Sequence, residues 1–411
     1  MKKFIFLLLP VLLLCDDLKT LLQEAENSNN LISASKISKQ SKQKELDSSK
    51  SAYYPTIDAG AFYQRYDEKN VLSSGTTYGA TATIGIDIYD GGKRSYTVKQ
   101  KKHELSSSDY NYKDTSKSIS LAIVKDFYNL KSLKSLLRAR EEASKAVEAQ
   151  LGRMKRFYDA RMATSDDVDR LQSAYDKNIY AIESIRFKIL QLKKSLELKV
   201  GKPIQTLDDS KFKKIQEDDG DELDKIKSLR ATKNSILSAG ETIDSYYYPQ
   251  IRVEDTYTFY GYEDKPVIFG TPVELLDKQN KLMATLNVRL VDFGMIGEKK
   301  EAVILQAKAI EEEILYKTKE QKIQQELAIQ RIKTAKLNIK SSKSALRASQ
   351  SALKTITKKY NASIVDNVVY LDALSSQTDS KATYEKALND LEIAYAMYYY
   401  FNAKDLKEYL K

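Results

Sequence analysis

The chain has 411 residues, a net charge of +10, 30% charged residues and 42% hydrophobic residues. This balance is too polar for a bundle of membrane-spanning helices, and no run of 18 apolar residues occurs after residue 15. A single histidine and a single cysteine exclude an intrachain disulfide and argue against a His/Cys metal site. Only 14 glycines and 6 prolines interrupt the chain, which favours long helices.

The first 15 residues have the pattern of an export signal. Two lysines precede an apolar run from Phe4 to Leu14, and Cys15 follows it. Eleven residues suit the hydrophobic region of a signal peptide but are too few to span a bilayer. We therefore expect 1–15 to be a signal peptide, which disfavours a nucleic-acid role. Cys15 stands where a lipidated cysteine would, but Leu14 replaces the usual small residue, so lipidation and an incidental cysteine both stay open.

The rest of the chain consists of two copies of one unit. A Tyr-Tyr-Pro motif at 53–55 recurs at 247–249, and a Tyr-x-Ala motif at 158–160 recurs at 360–362. Self-similarity at a fixed offset is the signature of an internal repeat. The offset grows from 194 to 202 residues because the loop between the second pair of strands is eight residues longer. Each half is therefore predicted to contain the same elements in the same order.

The first repeat spans 16–200 and is predicted to contain a helix, strands at about 55–66 and 78–89, a long helix at 93–158 and a helix at 166–200. Residues 201–224 are interpreted as an irregular equatorial linker. The second repeat spans 225–411 and is predicted to contain a helix, strands at about 250–262 and 282–292, a long helix at 295–360, a helix at 367–403 and a short tail.

The predicted strands alternate between apolar and polar residues. In the second, Ala80, Ala82 and Ile84 fall on one face, and Thr81 and Thr83 on the other. Strands of 9–11 residues with this alternation suit a water-filled transmembrane barrel. A half-buried sheet on a soluble core alternates in the same way, so the pattern leaves both readings open.

The predicted long helices have coiled-coil spacing. Val147, Leu151, Met154 and Tyr158 are separated by 4, 3 and 4 residues, and no proline interrupts either long helix.

A four-stranded sheet in lipid would leave backbone groups unpaired at its edges. It must therefore close by sharing strands among several chains, and cyclic symmetry is the ordinary solution.

This architecture resembles the TolC-like family of outer-membrane efflux and secretion channels, the outer membrane factors, over about 17–411. The resemblance is carried by the duplicated layout, the Tyr-Tyr-Pro entries, the Asp-Gly-Gly exit at 90–92, and the helix-hairpin motifs at 158–168 and 360–374. It implies a mostly α fold with a small transmembrane β-sheet and two helix-strand-strand-helix-helix repeats per chain. It further implies a homotrimer whose 12-stranded β-barrel continues as a long periplasmic α-helical barrel.

The resemblance also implies a function. The chain would be a passive exit duct in the outer membrane of a Gram-negative-type cell, extending into the periplasm, with no enzymatic activity and no cofactor. It would serve a tripartite efflux pump or a type I secretion system. A periplasmic adaptor and an inner-membrane pump of the RND or ABC type would open it at its periplasmic helix tips.

Three residues fall at the periplasmic entrance by the same resemblance. Asp372 is expected in a ring of carboxylates that favours cations, and Asp167 and Tyr360 are expected where hydrogen bonds hold the tips closed. The alternative for Asp372 is an ordinary exposed acid in the first turn of a helix. Val369 replaces the first entrance acid and Val365 a basic residue that helps to lock the tips, so the lock is expected to be weaker or built differently.

Four residues at the helix tips, Arg161, Met162, Ser363 and Ile364, are expected to contact the adaptor. Arg161 and Ser363 stand where the family has glycine, so the preference for an adaptor does not carry over from the resemblance.

Two other classes of function compete with the duct. An enzyme is disfavoured because His103 has no visible nucleophile partner and no phosphate-binding or HExxH motif occurs. A non-channel coiled-coil protein that tethers the cell envelope stays open. The acidic residues at 218–221 fit either a divalent cation or, more simply, a solvated loop.

Overall fold

The computed structural model describes residues 17–67, 74–204, 207–215 and 220–411. The predicted signal peptide, Cys15, and the acidic residues Asp218 and Asp219 lie outside this part of the chain. The described residues form two compact units. Unit 1 holds the described parts of 1–36, 111–225 and 317–411, and unit 2 those of 37–110 and 226–316.

The main helices and strands follow the predicted order of helix, strand, strand, helix and helix in each half. They are α1 (Leu18–Ser28), α2 (Asn30–Ser51), β1 (Thr56–Arg65), β2 (Thr76–Asp90), α3 (Lys93–Asp159), α4 (Ser165–Val200), α5 (Asp224–Asp244), β3 (Gln250–Glu263), β4 (Val267–Ile268), β5 (Thr271–Pro272), β6 (Lys278–Asn287), α6 (Met295–Asn361) and α7 (Asn367–Phe401). The predicted mostly α fold with a small sheet is thus confirmed. Among these helices, none is both long and apolar enough to cross a membrane.

The first predicted helix is divided at Asn29, which lies between α1 and α2. The Asn29 side chain caps α2 by accepting from the backbone N–H groups of Leu31 and Ile32 at 2.8 and 3.0 Å. Its amide also donates to the carbonyl of Lys199 at 2.6 Å, near the end of α4. The first N–H groups of a helix have no partner within the helix, and a side chain that accepts from them stabilises the helix start. Asn29 therefore favours the start of a new helix, α2, at this point.

The strand predicted at 282–292 instead occupies Lys278–Asn287. Its limits follow from its partner, because Asn287 pairs with Gln250, the first residue of β3, and Lys278 pairs with Phe259. Pro249, the residue before β3, has no backbone N–H to donate to a neighbouring strand. The pairing of β3 with β6 therefore stops at Asn287. The first residues of β6 are polar and do not alternate with apolar ones, so the sequence pattern did not reveal them. The small β4–β5 hairpin was not predicted either.

The four long strands form one antiparallel sheet in unit 2, in the order β1-β2-β3-β6. One face is polar: the Thr83 and Thr256 hydroxyls lie 3.1 Å apart, and Arg252 donates to Asp87 at 2.9 Å. The opposite face is largely apolar and exposed in the single chain, with Ile57 and Leu282 each about three-quarters exposed. Strands β1 and β6 form the two edges.

The two strand-to-helix exits have the same local geometry. Asp90 accepts from the backbone N–H groups of Gly92 and Arg94 at 3.1 and 2.9 Å, and Asp292 accepts from those of Gly294 and Ile296 at the same distances. Gly92 and Gly294 have φ values of 85° and 90°, which glycine adopts without steric cost. The Asp-x-Gly spacing therefore starts α3 and α6 in the same way.

The largest core lies in unit 1 and joins α1, α3 and α7. Its centre includes Leu21, Val124, Phe127 and Tyr395, all buried. The part of the linker around Phe212 is fixed to this core, because Phe212 is buried in it and pairs with Leu410 in a short antiparallel bridge. This part of the linker is thus held by backbone pairing near residue 410.

A charge network joins α2 and α3 in unit 2. Lys42 and Lys101 each contact both Glu45 and Glu104, at 2.8 to 3.2 Å. Hydrogen bonds from the two lysines lower the pKa of Glu45 to about 2.

Candidate functional site: the paired helix tips

The α3–α4 and α6–α7 turns lie in unit 1 and repeat one geometry. In the first, Met162 N–H donates to the Phe157 carbonyl at 2.7 Å, and Arg161 N–H donates to the Tyr158 carbonyl at 2.9 Å. This pair of bonds is a Schellman motif, which needs a left-handed residue just past the helix. The same two bonds recur 202 residues later, at 2.9 and 3.0 Å.

The left-handed residues are Arg161, with φ 58°, and Ser363, with φ 56°. Both stand where the motif that the sequence resembles has glycine. The left-handed region costs a residue with a Cβ about 1 kcal/mol or more. Both turns therefore hold a residue with a side chain in the left-handed backbone conformation that glycine adopts most easily. This places backbone strain at each tip.

The two tips differ in how the second helix begins. Thr164 and Asp167 form a reciprocal capping box, in which the Asp167 N–H donates to the Thr164 hydroxyl at 3.3 Å and the Thr164 N–H donates to the Asp167 carboxylate at 3.4 Å. At the second tip Asp366 accepts from the Val369 N–H at 3.1 Å. Val369 has no polar side chain to complete the box, so α7 starts with half of the cap that α4 has.

A buried amide connects the two tips. The Asn367 Nδ2 group donates to the Asp167 carbonyl at 3.3 Å and to its Oδ1 atom at 3.2 Å. Asn367 is only 3% exposed. Sequence reasoning did not single it out, because Ser165 occupies the equivalent place in the first repeat and nothing local marks a contact across 200 residues. Asp167 thus bonds both to its own helix start and to that of α7.

Tyr360 packs through its ring. It is 8% exposed and stacks on Tyr370 with ring centroids 4.9 Å apart, while the guanidinium of Arg153 lies 5.9 Å from the Tyr360 ring centroid. Burial raises the pKa of Tyr360, Arg153 lowers it and Asp167 raises it. Asp167 and Tyr360 therefore lie in one neighbourhood, and their role in holding the tips closed stays a prediction.

The tips rest on a small apolar core. Its buried residues come from all four helices of the two hairpins and are Ala143, Val147, Leu151, Leu171, Tyr360, Tyr370 and Leu374. Because the spaced apolar residues of α3 contribute to it, the coiled-coil periodicity reflects packing between the hairpins.

The remaining tip residues are exposed. Met162 is 74% and Ile364 is 70% exposed, and Arg161 and Ser363 are exposed as well. Asp372 is an exposed residue in the second turn of α7 rather than the first, and it makes none of the hydrogen bonds or ion pairs found in the described chain. The alternative, an ordinary exposed acid, agrees with the exposure of Asp372 but not with its turn, because the helix-dipole effect fades beyond the first turn. The entrance role of Asp372 stays a prediction.

The duplicated fold and the paired tips are similar to those of TolC-like outer-membrane channels. Residues 21–196 match the family model for outer membrane efflux proteins. None of the curated proteins matches the sequence.

Solved channel structures share the fold over nearly the whole chain. The Campylobacter jejuni CmeC outer membrane channel matches with a TM-score of 0.82 at 12% identity, covering 94% of this chain and 85% of that one. The Vibrio cholerae outer membrane protein VceC matches at 0.77 and 12%, covering 95% and 96%. The Neisseria gonorrhoeae MtrE outer membrane channel, in its open state, matches at 0.76 and 12%, covering 95% and 89%. Together with the family model, these matches confirm the resemblance to the TolC-like family.

Proposed function

We propose that this chain forms the outer-membrane exit duct of a multicomponent export system and acts as a homotrimer that extends into the periplasm. The observation that carries the proposal is the agreement of a family model over 21–196 with a fold shared across about 95% of the chain with outer-membrane channels. A fold by itself does not fix a function, and the sheet and the tips each add independent support.

The sheet supports closure among copies. Its apolar face is exposed, and its two edge strands offer unpaired backbone groups, which cost several kcal/mol each in lipid. Three copies in cyclic symmetry would supply 12 strands and remove every edge. The apolar face, with Ile57 and Leu282, then contacts outer-membrane lipid, and the face with Arg252 and Asp87 lines the lumen.

The tips support a gate at the periplasmic end. Asp167 and Asn367 hold the two hairpins of one copy together, and Tyr360 packs beneath them. Three symmetric copies of Asp372 would line the entrance and favour cations. Met162 and Ile364 offer exposed apolar contacts for a periplasmic adaptor, whose engagement with an inner-membrane pump opens the tips.

The duct performs no reaction and needs no cofactor. The RND or ABC pump supplies the energy, in either drug efflux or type I secretion.

The test is conductance in a planar bilayer with detergent-purified protein. We compare the wild type with Asp372→Ala, and with Asp169→Ala as a matched exposed carboxylate on the other hairpin. We expect a small cation-favouring conductance whose selectivity falls in Asp372→Ala alone. Conductance with unchanged selectivity would keep the duct and remove Asp372 from the entrance.

The coiled-coil envelope tether predicts a different outcome. A tether would remain in solution without detergent and would give no conductance steps. That result would overturn the duct.

A further inference from the structure

A cleft of about 470 Å³ lies in unit 1, between α3, the linker and α7. Three cations from one face of α3 line it, namely Lys131, Lys134 and Arg138, at helical spacings of three and four residues. Lys211 lines it from the linker. One wall of the cleft is therefore basic.

The cleft also has an apolar part. Leu207 comes from the linker, and Leu388 and Leu391 come from α7. Leu388 is 36% exposed, so part of its surface is open to a ligand. A cavity of this size with apolar lining and a few convergent charges suits a small molecule.

Among the residues that the structure describes, Lys134 and Arg138 both lack the ion pair that Lys131 has. Lys131 forms an ion pair with Asp209, whereas Arg138 donates to the Ser135 hydroxyl, at 3.5 Å. Lys134, which is half-buried, has no carboxylate within ion-pair distance in the described chain. Burial lowers the pKa of its ammonium, and Lys193 and Arg138 lower it further. A desolvated cation surrounded by like charges is left without compensation.

The acids of the cleft do not compensate Lys134. Glu392 accepts from the Phe212 N–H at 2.7 Å, and burial raises the pKa of this carboxyl. Asp209 is paired with Lys131. Glu385 lines the α7 wall, but it is not among the groups that affect Lys134.

We propose that this cleft binds a small anionic ligand with a compact apolar body, such as an aryl or alkyl phosphate or carboxylate. The anion accepts from Lys134 and lies against the α3 wall with Arg138, and the apolar body lies against Leu388. Such a ligand supplies the missing counter-charge and covers the exposed leucine. The site does not depend on whether the chain is an exit duct.

Two probes test the charge and the apolar body separately. Phenyl phosphate carries both, and inorganic phosphate carries the charge alone. Binding to the full protein in amphipol is measured by calorimetry at low salt for the wild type, Lys134→Gln and Lys145→Gln. Lys145 is an exposed lysine on the same helix, outside the cleft.

A charged hydrogen bond is worth about 1.5–3 kcal/mol, so we expect Lys134→Gln to weaken phenyl phosphate binding about tenfold or more. Lys145→Gln should leave it unchanged, and inorganic phosphate should bind more weakly than phenyl phosphate. Equal binding by all three proteins, or no binding of phenyl phosphate, would overturn the proposal.

A second measurement needs no variant. Acetylation of individual lysines by an amine reagent is followed by mass spectrometry, with Lys145 as the internal standard. We expect phenyl phosphate to slow acetylation of Lys134 and not of Lys145. Equal slowing at both lysines, or none at Lys134, would contradict a ligand in the cleft.

Discussion

The Asp167–Asn367 contact gives a sharp test of how the two hairpins are joined. Asn367→Ala removes both hydrogen bonds from the buried amide and leaves the Thr164–Asp167 capping box in place. We expect the tips to separate more often, while each hairpin keeps its own turn.

The size of the effect follows from the geometry. The two bonds share one amide group, they are 3.2 and 3.3 Å long, and Asp167 is half-buried rather than buried. We therefore expect the contact to stabilise the joined tips by about 1 kcal/mol, the typical net contribution of a hydrogen bond. The larger value of a bond to a fully buried charge does not apply. One kcal/mol changes the ratio of joined to separated tips about fivefold.

Hydrogen exchange measures this without assuming any function. Amides in the first turn of α7 should exchange about five times faster in Asn367→Ala, and those of α4, which stays capped, should change less. The control is Asn389→Ala, which removes another buried amide of α7, bonded to Ser132 at 3.0 Å far from the tips. It should lower global stability without selective exchange at the tips.

Conductance then connects the contact to the proposed duct. If the tips gate the channel, Asn367→Ala should raise the open fraction about fivefold, and Asn389→Ala should not. Unchanged exchange at both tips in a folded Asn367→Ala variant would refute the reasoning, because the contact would then contribute nothing. Faster exchange with unchanged conductance would keep the contact and place the gate elsewhere.

Three further results are expected. Arg161→Gly and Ser363→Gly should each stabilise the protein by about 1 kcal/mol through relief of left-handed strain, and a lower melting temperature would contradict this. Thr164→Ala should cost about 1 kcal/mol and speed amide exchange in the first turn of α4, whereas unchanged exchange there would remove the capping role. Because the pKa of Glu45 is lowered to about 2, its stabilisation is present above about pH 4.3 and is lost as the pH falls toward 2. Glu45 is partly exposed, so the loss should stay under about 1 kcal/mol, and acid titrations of unfolding should be flatter for Glu45→Gln.

The sequence determines the repeated architecture because its signals are local. The Asp-Gly-Gly exit places a cap and a left-handed glycine where a strand must become a helix, and the two exits share bond lengths. The spaced apolar residues around Val147 identify the face that packs between hairpins. These features depend on residues within a few turns of one another, so they can be predicted without a structure.

Other features depend on what a segment meets. The limits of β6 are set by the start of β3 at Gln250, and the polar residues from Lys278 onward give no alternation to reveal it. The break at Asn29 depends on the carbonyl of Lys199, 170 residues away. The free ammonium of Lys134 becomes visible only when the helices around it are in place. Each of these features depends on which residues of distant segments lie nearby. The sequence pattern of a single segment does not contain that information.

The two tips show how a duplicated motif can diverge and still be held. Both keep the Schellman turn, but only the first has a complete capping box, because Val369 stands where Asp167 stands in the first repeat. The second tip recovers a polar contact from Asn367, which reaches back to Asp167. Asp167 therefore supports the start of α4 directly and that of α7 through a neighbour. Since the weaker tip depends on the stronger one, a change at Asn367 should loosen the link while leaving α4 capped, whereas a change at Asp167 should disturb both helix starts at once.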